Sequence, residues 1–333
     1  MPPLAERYFF IRIWAAPATI SLMTLRGWLV GMQNSVDSMW LDLIINAVNI
    51  GASILLAFGI GSWTGLGFIG IPLGTVVAQY CGLAFGLWVI THKYGQRVFS
   101  RLSRRDVAGL LLHDGSLPAF FRMNLDLLGR SFFFILIYIG FTMISAGYGD
   151  LMLAAGSIIM QLLMFFSYFT DGFAYAGEAL TGRFIGEGSP EGVRSTIRQT
   201  FLWCLGVTAL FFLVYGVGGV PLLRLMTSDP SVVDAGREFI PWLLLMPVIG
   251  CPAFTWDGIF MGATASKDLR NSTAWCVVGF FGVWFIGIGL LKAVQGTVPE
   301  TLAIHLLMAA YFTHLLVRAL YLTLRWRKAI PYA

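Results

Sequence analysis

"LAAGSIIMQLLMFFSYFTDGFAYAGEALTGRFIGEG", residues 153–188, decides the fold class. Its apolar run is longer than the roughly 20 residues that a helix needs to cross a bilayer core. Yet Asp171 and Glu178 lie inside it, among Phe, Tyr, Ala and Gly. Acids at that depth cost several kcal/mol and persist when paired, protonated or facing water. Seven residues is close to two helical turns, so both carboxylates fall on one face and can line one wall of a cavity. Tyr168 and Tyr175, also seven apart, place hydroxyls on an adjoining strip, and Gly172 and Gly177 allow a neighbouring backbone to come close.

The rest of the chain has the same character. Of 333 residues, 57% are hydrophobic and 12% charged, and the mean hydropathy is +0.77. A soluble domain is about one quarter charged. The composition therefore predicts an all-α, polytopic membrane protein of about nine transmembrane helices. Runs long enough to span lie near 10–33, 39–60, 69–91, 125–146, 151–180, 199–220, 238–264, 271–292 and 302–324. Pro17, Pro72, Pro247 and Pro252 fall in or near these runs, where each removes a backbone hydrogen bond and bends its helix. The net charge of +5 does not point to nucleic acid, because the basic residues cluster at the ends of apolar runs. Cys81, Cys204, Cys251 and Cys276 lie within apolar runs without metal-ligand spacing and read as small buried residues. The opening "PPLAERYFF" lacks the pattern of a secretory leader.

Loop charge sets an orientation. The stretch 93–122 carries Lys93, Arg97, Arg101, Arg104, Arg105 and Arg122, and reads as a cytoplasmic linker between a partial N-terminal lobe at 1–92 and a C-terminal lobe at 123–333. "GYGD" (147–150) has no Lys or Arg, the loop after the fifth run has Arg183, Arg194 and Arg198, and "RWRK" (325–328) is strongly basic. The alternation follows the positive-inside rule and predicts a cytoplasmic C-terminus with Met1 outside. Arg7 and Arg12 sit badly with that placement of Met1, so the reading includes the expectation that sequence is missing upstream.

An internal repeat points the same way. At a shift of 231 positions, "GWLVGMQNSVD" (27–37) falls on "GIFMGATASKD" (258–268), matching Gly27 with Gly258, Gly31 with Gly262, Ser35 with Ser266 and Asp37 with Asp268. Such repeats build many secondary transporters. Runs seven to nine then pair with runs one to three, and runs four to six lack partners. The expected whole has two lobes of six helices, with roughly 110 residues before Met1.

Other ionisable residues fall within the runs. Asp126 and Arg130 are four apart, on one helix face, and read either as a local ion pair or as a switch that breaks during transport. Arg26 is near a run end and can snorkel. Asp257 follows two prolines, where a bend leaves carbonyls unpaired beside the acid. Such acids can carry reversible charge, since desolvation disfavours the charged form. A proton and a cationic substrate could then compete for one site. The plainer alternative for each is a protonated acid bonded to a neighbouring helix. There is no G-x-S-x-G, H-E-x-x-H or Walker-type loop, so the chain does not read as an enzyme, and an ion gradient is the expected energy source.

"RIWAAPATISLMTLRGWLVGMQNS" (12–35), "NAVNIGASILLAFGIG" (46–61) and "GIPLGTVVAQYCGL" (70–83) resemble helices four to six of the multidrug and toxin extrusion (MATE) family. Residues 153–188 resemble its eighth helix, and "DGFAYAGEALTG" with "WDGIFMGATASKDLRN" (256–271) is similar to the DinF-type branch. The resemblance implies a monomeric antiporter of the bacterial inner membrane. It would exchange H+ or Na+ for bulky, often cationic amphipathic compounds by alternating access, with no cofactor beyond the coupling ion and with lipid as its surroundings. It also implies site roles for Asp171, Glu178 and Asp257, where this branch carries acids, and for Asp126 and Arg130, where it has a polar pair; Tyr175, on the hydroxyl strip beside the acids, is counted with the same cavity from its spacing. Asn49 matches an Asn of the family's fifth helix, but Ser53 stands where an Asp commonly follows, so a cation site in the first lobe is absent or altered. Two alternatives stay open. One is a flippase of lipid-linked saccharides from the same superfamily, which would need several basic residues at depth where only Arg26 and Arg130 are counted. The other is a remnant that does not transport.

Overall fold

The structure is a computed structural model that describes residues 2–95, 116–296 and 298–332. Residues Arg97, Arg101, Arg104 and Arg105 of the expected linker lie outside these. The fold is helical: α1 (Pro2–Arg12), α2 (Ala16–Gly31), α3 (Ser35–Phe58), α4 (Gly70–Val89), α5 (Ser116–Ala146), α6 (Asp150–Gly186), α7 (Pro190–Met226), α8 (Pro230–Arg237), α9 (Ile240–Gly262), α10 (Ser266–Gln295) and α11 (Glu300–Ala329). Nine helical stretches among the described residues are long and apolar enough to cross a membrane. Several outrun their apolar segments. Thus α7 begins at Pro190, well before its apolar run, because Ser189 caps it by accepting from Gly192 N and Pro190 fits the first turn. The loop expected near 221–237 contains the extra helix α8, capped by Asp229.

The chain divides into two compact units, Met1–Gly115 and Ser116–Ala333. In the first, α3 packs along α4 around Leu22, Leu41, Ile45 and Ala78. In the second, α9 lies against α6, α7 and α11, and α10 bridges α5 and α11. Its core is aromatic, with Phe166, Tyr215, Phe239 and Phe280 fully buried.

The repeat is legible in the backbone. Helix α2 ends at Gly31 and α9 at Gly262, while α3 starts at Ser35 and α10 at Ser266. In the first turn, Gln33 N bonds Val30 O and Asn34 N bonds Leu29 O; in the second, Thr264 N bonds Met261 O and Ala265 N bonds Phe260 O. This is the paired hydrogen-bond pattern that closes helices through one left-handed residue. Gln33 (φ 57°) and Thr264 (φ 54°) are those residues. The acids that follow are tied alike. Asp37 is held by Lys93 at 2.7 Å and Asp268 by Arg325 at 3.0 Å; Lys93 lies in the turn Ile90–Tyr94 that continues α4, and Arg325 near the end of α11, in each case the helix after the one that carries the acid.

Candidate functional site

Backbone contact between α6 and α9 sets the site. A Cβ on Gly258 would lie 2.1 Å from the carbonyl oxygen of Ala174, and one on Gly262 would lie 2.2 Å from that of Glu178. Only glycine fits at either position, and the small-xxx-small spacing seats α9 directly on α6. Asp257, next to Gly258, is thereby carried to the face of α6 that bears Asp171 and Glu178. The three acids, with Arg130, Tyr175 and Met261, line a cavity of about 170 Å³.

Asp257 is held by two arginines from two further helices. Arg130 Nη2 of α5 donates to Asp257 Oδ2 at 2.5 Å. Arg318 of α11 donates from Nε to Oδ1 at 3.0 Å and from Nη2 to Oδ2. The two side chains of the forked pair are withdrawn from solvent, at 5% exposure for Arg318 and 14% for Asp257. Phe134 receives both guanidiniums, 5.2 Å from Arg130 and 5.0 Å from Arg318, and Phe254 lies 5.2 Å from Arg318. Such stacking suits the flat, weakly hydrated guanidinium. Arg130 Nε is buried with no hydrogen-bond partner among the described residues.

Asp171 and Glu178 stand apart from this clamp. Among the described residues neither makes a direct ion pair, though both lie within electrostatic reach of Arg130 and Asp171 also of Arg318. Two guanidiniums thus face three carboxylates. The cluster is one negative charge in excess when every acid is ionised and balanced when one takes up a proton. It can therefore accept one cation at little electrostatic cost, and a second only with difficulty.

Other expected positions fall elsewhere. Asp126 and Arg130 share a helix face but do not pair. Asp126 accepts from Arg270 Nη1 at 2.5 Å and from Ser266 Oγ at 3.1 Å, one turn apart at the start of α10, while Arg130 turns to Asp257. The local pair loses because α10 offers Asp126 a cation and a hydroxyl together, and Arg130 finds in Asp257 an acid whose pairing it shares with Arg318 beside the common Phe134 ring. Asn49 lies in the first unit, where its Oδ1 accepts from Ser53 Oγ at 3.1 Å and from Thr75 Oγ1 at 3.2 Å. Arg26 pairs with Asp42 at 2.5 Å, both partly exposed.

The sequence reading missed Arg318, Arg270 and the two phenylalanines. Arg318 had a signal: it interrupts "HLLVRALYL" (314–322) in the middle of the last run. The count of basic residues at depth is corrected accordingly. Arg318 joins Arg130, while Arg26 is a partly exposed partner of Asp42.

A bundle of membrane-length helices with a charge cluster beside a cavity is an arrangement that transporters share. The comparisons agree. A family model described as MatE matches residues 127–286. "DNA damage-inducible protein F" of Escherichia coli (strain K12) is 31% identical over 97% of this chain and 66% of that protein. "Probable multidrug resistance protein NorM" of Idiomarina loihiensis is 20% identical over 96% of this chain and 68% of that protein. A crystal structure of the Vibrio cholerae MATE transporter VcmN in the bent form matches with a TM-score of 0.79 at 17% identity, covering 97% of this chain and 69% of that one. The chain belongs to the MATE family, a family of transporters and not of enzymes. It spans about half to two thirds of the length of the curated relatives it matches.

Proposed function

We propose that the chain serves secondary active efflux, exchanging bulky and often cationic amphipathic compounds for H+ or Na+ by alternating access. The observation that carries this is the charge balance around Asp171 and Glu178. Two acids without direct ion pairs share a cavity with a clamp that has already consumed Asp257. A proton, a sodium ion or a substrate cation can each bring the cluster to neutrality, and they exclude one another, which is the requirement for exchange at a shared site. Asp257 then acts as the fixed counter-charge that positions Arg130 and Arg318. In this reading the protein works as a monomer in the bacterial inner membrane with a cytoplasmic C-terminus, surrounded by lipid and without a bound cofactor.

The saccharide-flippase reading gains one observation, the buried Arg318, since pyrophosphate recognition wants basic residues at depth. Both deep arginines are engaged by Asp257 and outnumbered by acids within reach, so the cavity offers an anion little net attraction. That favours the cation-exchange reading.

The test is efflux. The full chain, expressed in a host deleted for its own pumps, should lower ethidium or norfloxacin accumulation, and Glu178→Gln should abolish the effect at equal membrane abundance. Unchanged accumulation with the wild-type chain, or full efflux by Glu178→Gln, overturns the reading.

A further inference from the structure

The polar character of α6 does not stop at the acids. From Glu178 back toward the helix start, alternating steps of three and four residues reach Tyr175, Asp171, Tyr168, Met164, Gln161 and Ser157. That spacing keeps all seven on one helical stripe. At 1.5 Å per residue it runs roughly 31 Å, about the thickness of a bilayer core. Facing lipid, such a stripe would be penalised along its whole length.

Three cavities follow it. The charged one, of about 170 Å³, shares Phe254 with an aromatic one of about 310 Å³ that also touches Arg318. This in turn shares Tyr138 and Met164 with a third, of about 350 Å³. Among the described residues, the lining of the third cavity carries no carboxylate, lysine, arginine or histidine. Its walls offer Ser157, Gln161 and Tyr168 from α6, and Tyr138, Thr142 and Ser145 from α5. Ser145 is 1% exposed, and its Oγ has no hydrogen-bond partner among the described residues. Ser157 Oγ and Thr142 Oγ1 donate to the carbonyls of Leu153 and Tyr138, so their lone pairs remain to accept. A buried hydroxyl left unpaired is unfavourable until a ligand or water satisfies it.

We infer that this third cavity is a substrate compartment for an uncharged hydroxyl- or amide-bearing group, joined through the aromatic cavity to the charge cluster. The inference rests on the transport reading and sharpens its substrate class. The favoured molecule is elongated, with a cationic centre, a flat apolar body and a hydroxylated or amide end. Gln161 supplies paired donor and acceptor, and Ser145 supplies a donor that no described residue uses.

Two measurements test it on the full chain in lipid nanodiscs. The first needs no transport. In a Cys81→Ser background, where the remaining cysteines are buried, Gln161→Cys should react with a water-borne methanethiosulfonate reagent. A failure to react overturns the compartment. The second compares two fluorescent probes: doxorubicin, a flat ring system bearing hydroxyls and an amino sugar, and ethidium, a flat cation without hydroxyls. Ser145→Ala and Gln161→Leu should each weaken doxorubicin binding about tenfold, the size of one or two lost hydrogen bonds, and change ethidium binding less than about twofold. Equal effects on both probes, no effect on either, or no doxorubicin binding by the wild-type chain overturns the assignment. If labelling and selective binding hold while efflux fails, the compartment stands and the transport reading falls.

Discussion

Arg318 donates to both oxygens of Asp257, and Arg130 donates to Oδ2 as well. A carboxylate shared by one buried and one half-buried guanidinium is a structural keystone before it is anything else. Removing it strands two charges in a low-dielectric site. Asp257→Asn should therefore destabilise the protein by about 3–5 kcal/mol, read as a lowered unfolding temperature in detergent. Arg318→Gln combined with Asp257→Asn should recover part of that loss.

Asp171 and Glu178 should behave differently from Asp257. They lie in the cavity wall without direct ion pairs, so Asp171→Asn and Glu178→Gln should leave the unfolding temperature within a few degrees of wild type. Only their effect on ion-driven efflux, measured in proteoliposomes with an imposed gradient, should be large. A collapse in stability equal to that of Asp257→Asn would place them in the scaffold.

The seam between α6 and α9 admits no side chain. Gly258→Leu and Gly262→Leu put carbon against the backbone of Ala174 and Glu178 and should separate the two helices, with loss of folded protein on size-exclusion chromatography. At the matching positions of the first unit, a Cβ on Gly27 or Gly31 would meet no atom of the described residues within 4 Å. Gly27→Leu and Gly31→Leu should fold like wild type. A defect there would mean that this face is covered in the cell.

Thr264 holds a left-handed backbone that β-branched residues rarely adopt. Thr264→Gly should stabilise the protein by about 1 kcal/mol, measured by chemical or thermal unfolding. Gln33→Gly should act in the same direction with a smaller gain, since glutamine is unbranched at Cβ.

Much of the fold was readable because a bilayer imposes long apolar runs, and runs are local. The repeat was readable because the chain must close and restart its helices the same way in both copies, down to Gly31 and Gly262. The charge cluster was only half readable. Asp171 and Glu178 announce themselves by their two-turn spacing on one helix. The partners of Asp257 lie 127 and 61 residues away on other helices, and nothing local to Asp257 points to them. Asp126 misled for the same reason: the spacing to Arg130 permits a pair, but tertiary packing offers each a better partner.

The ties at Lys93–Asp37 and Arg325–Asp268 differ in kind from the Asp257 clamp. Each has a half-exposed cation reaching a carboxylate at the start of a helix, so each weakens as dissolved salt shortens the reach of charge. Both turns therefore answer to one solution variable. Raising ionic strength should loosen the helix junction in each unit alike while leaving the enclosed Arg318–Asp257 fork of the second unit untouched.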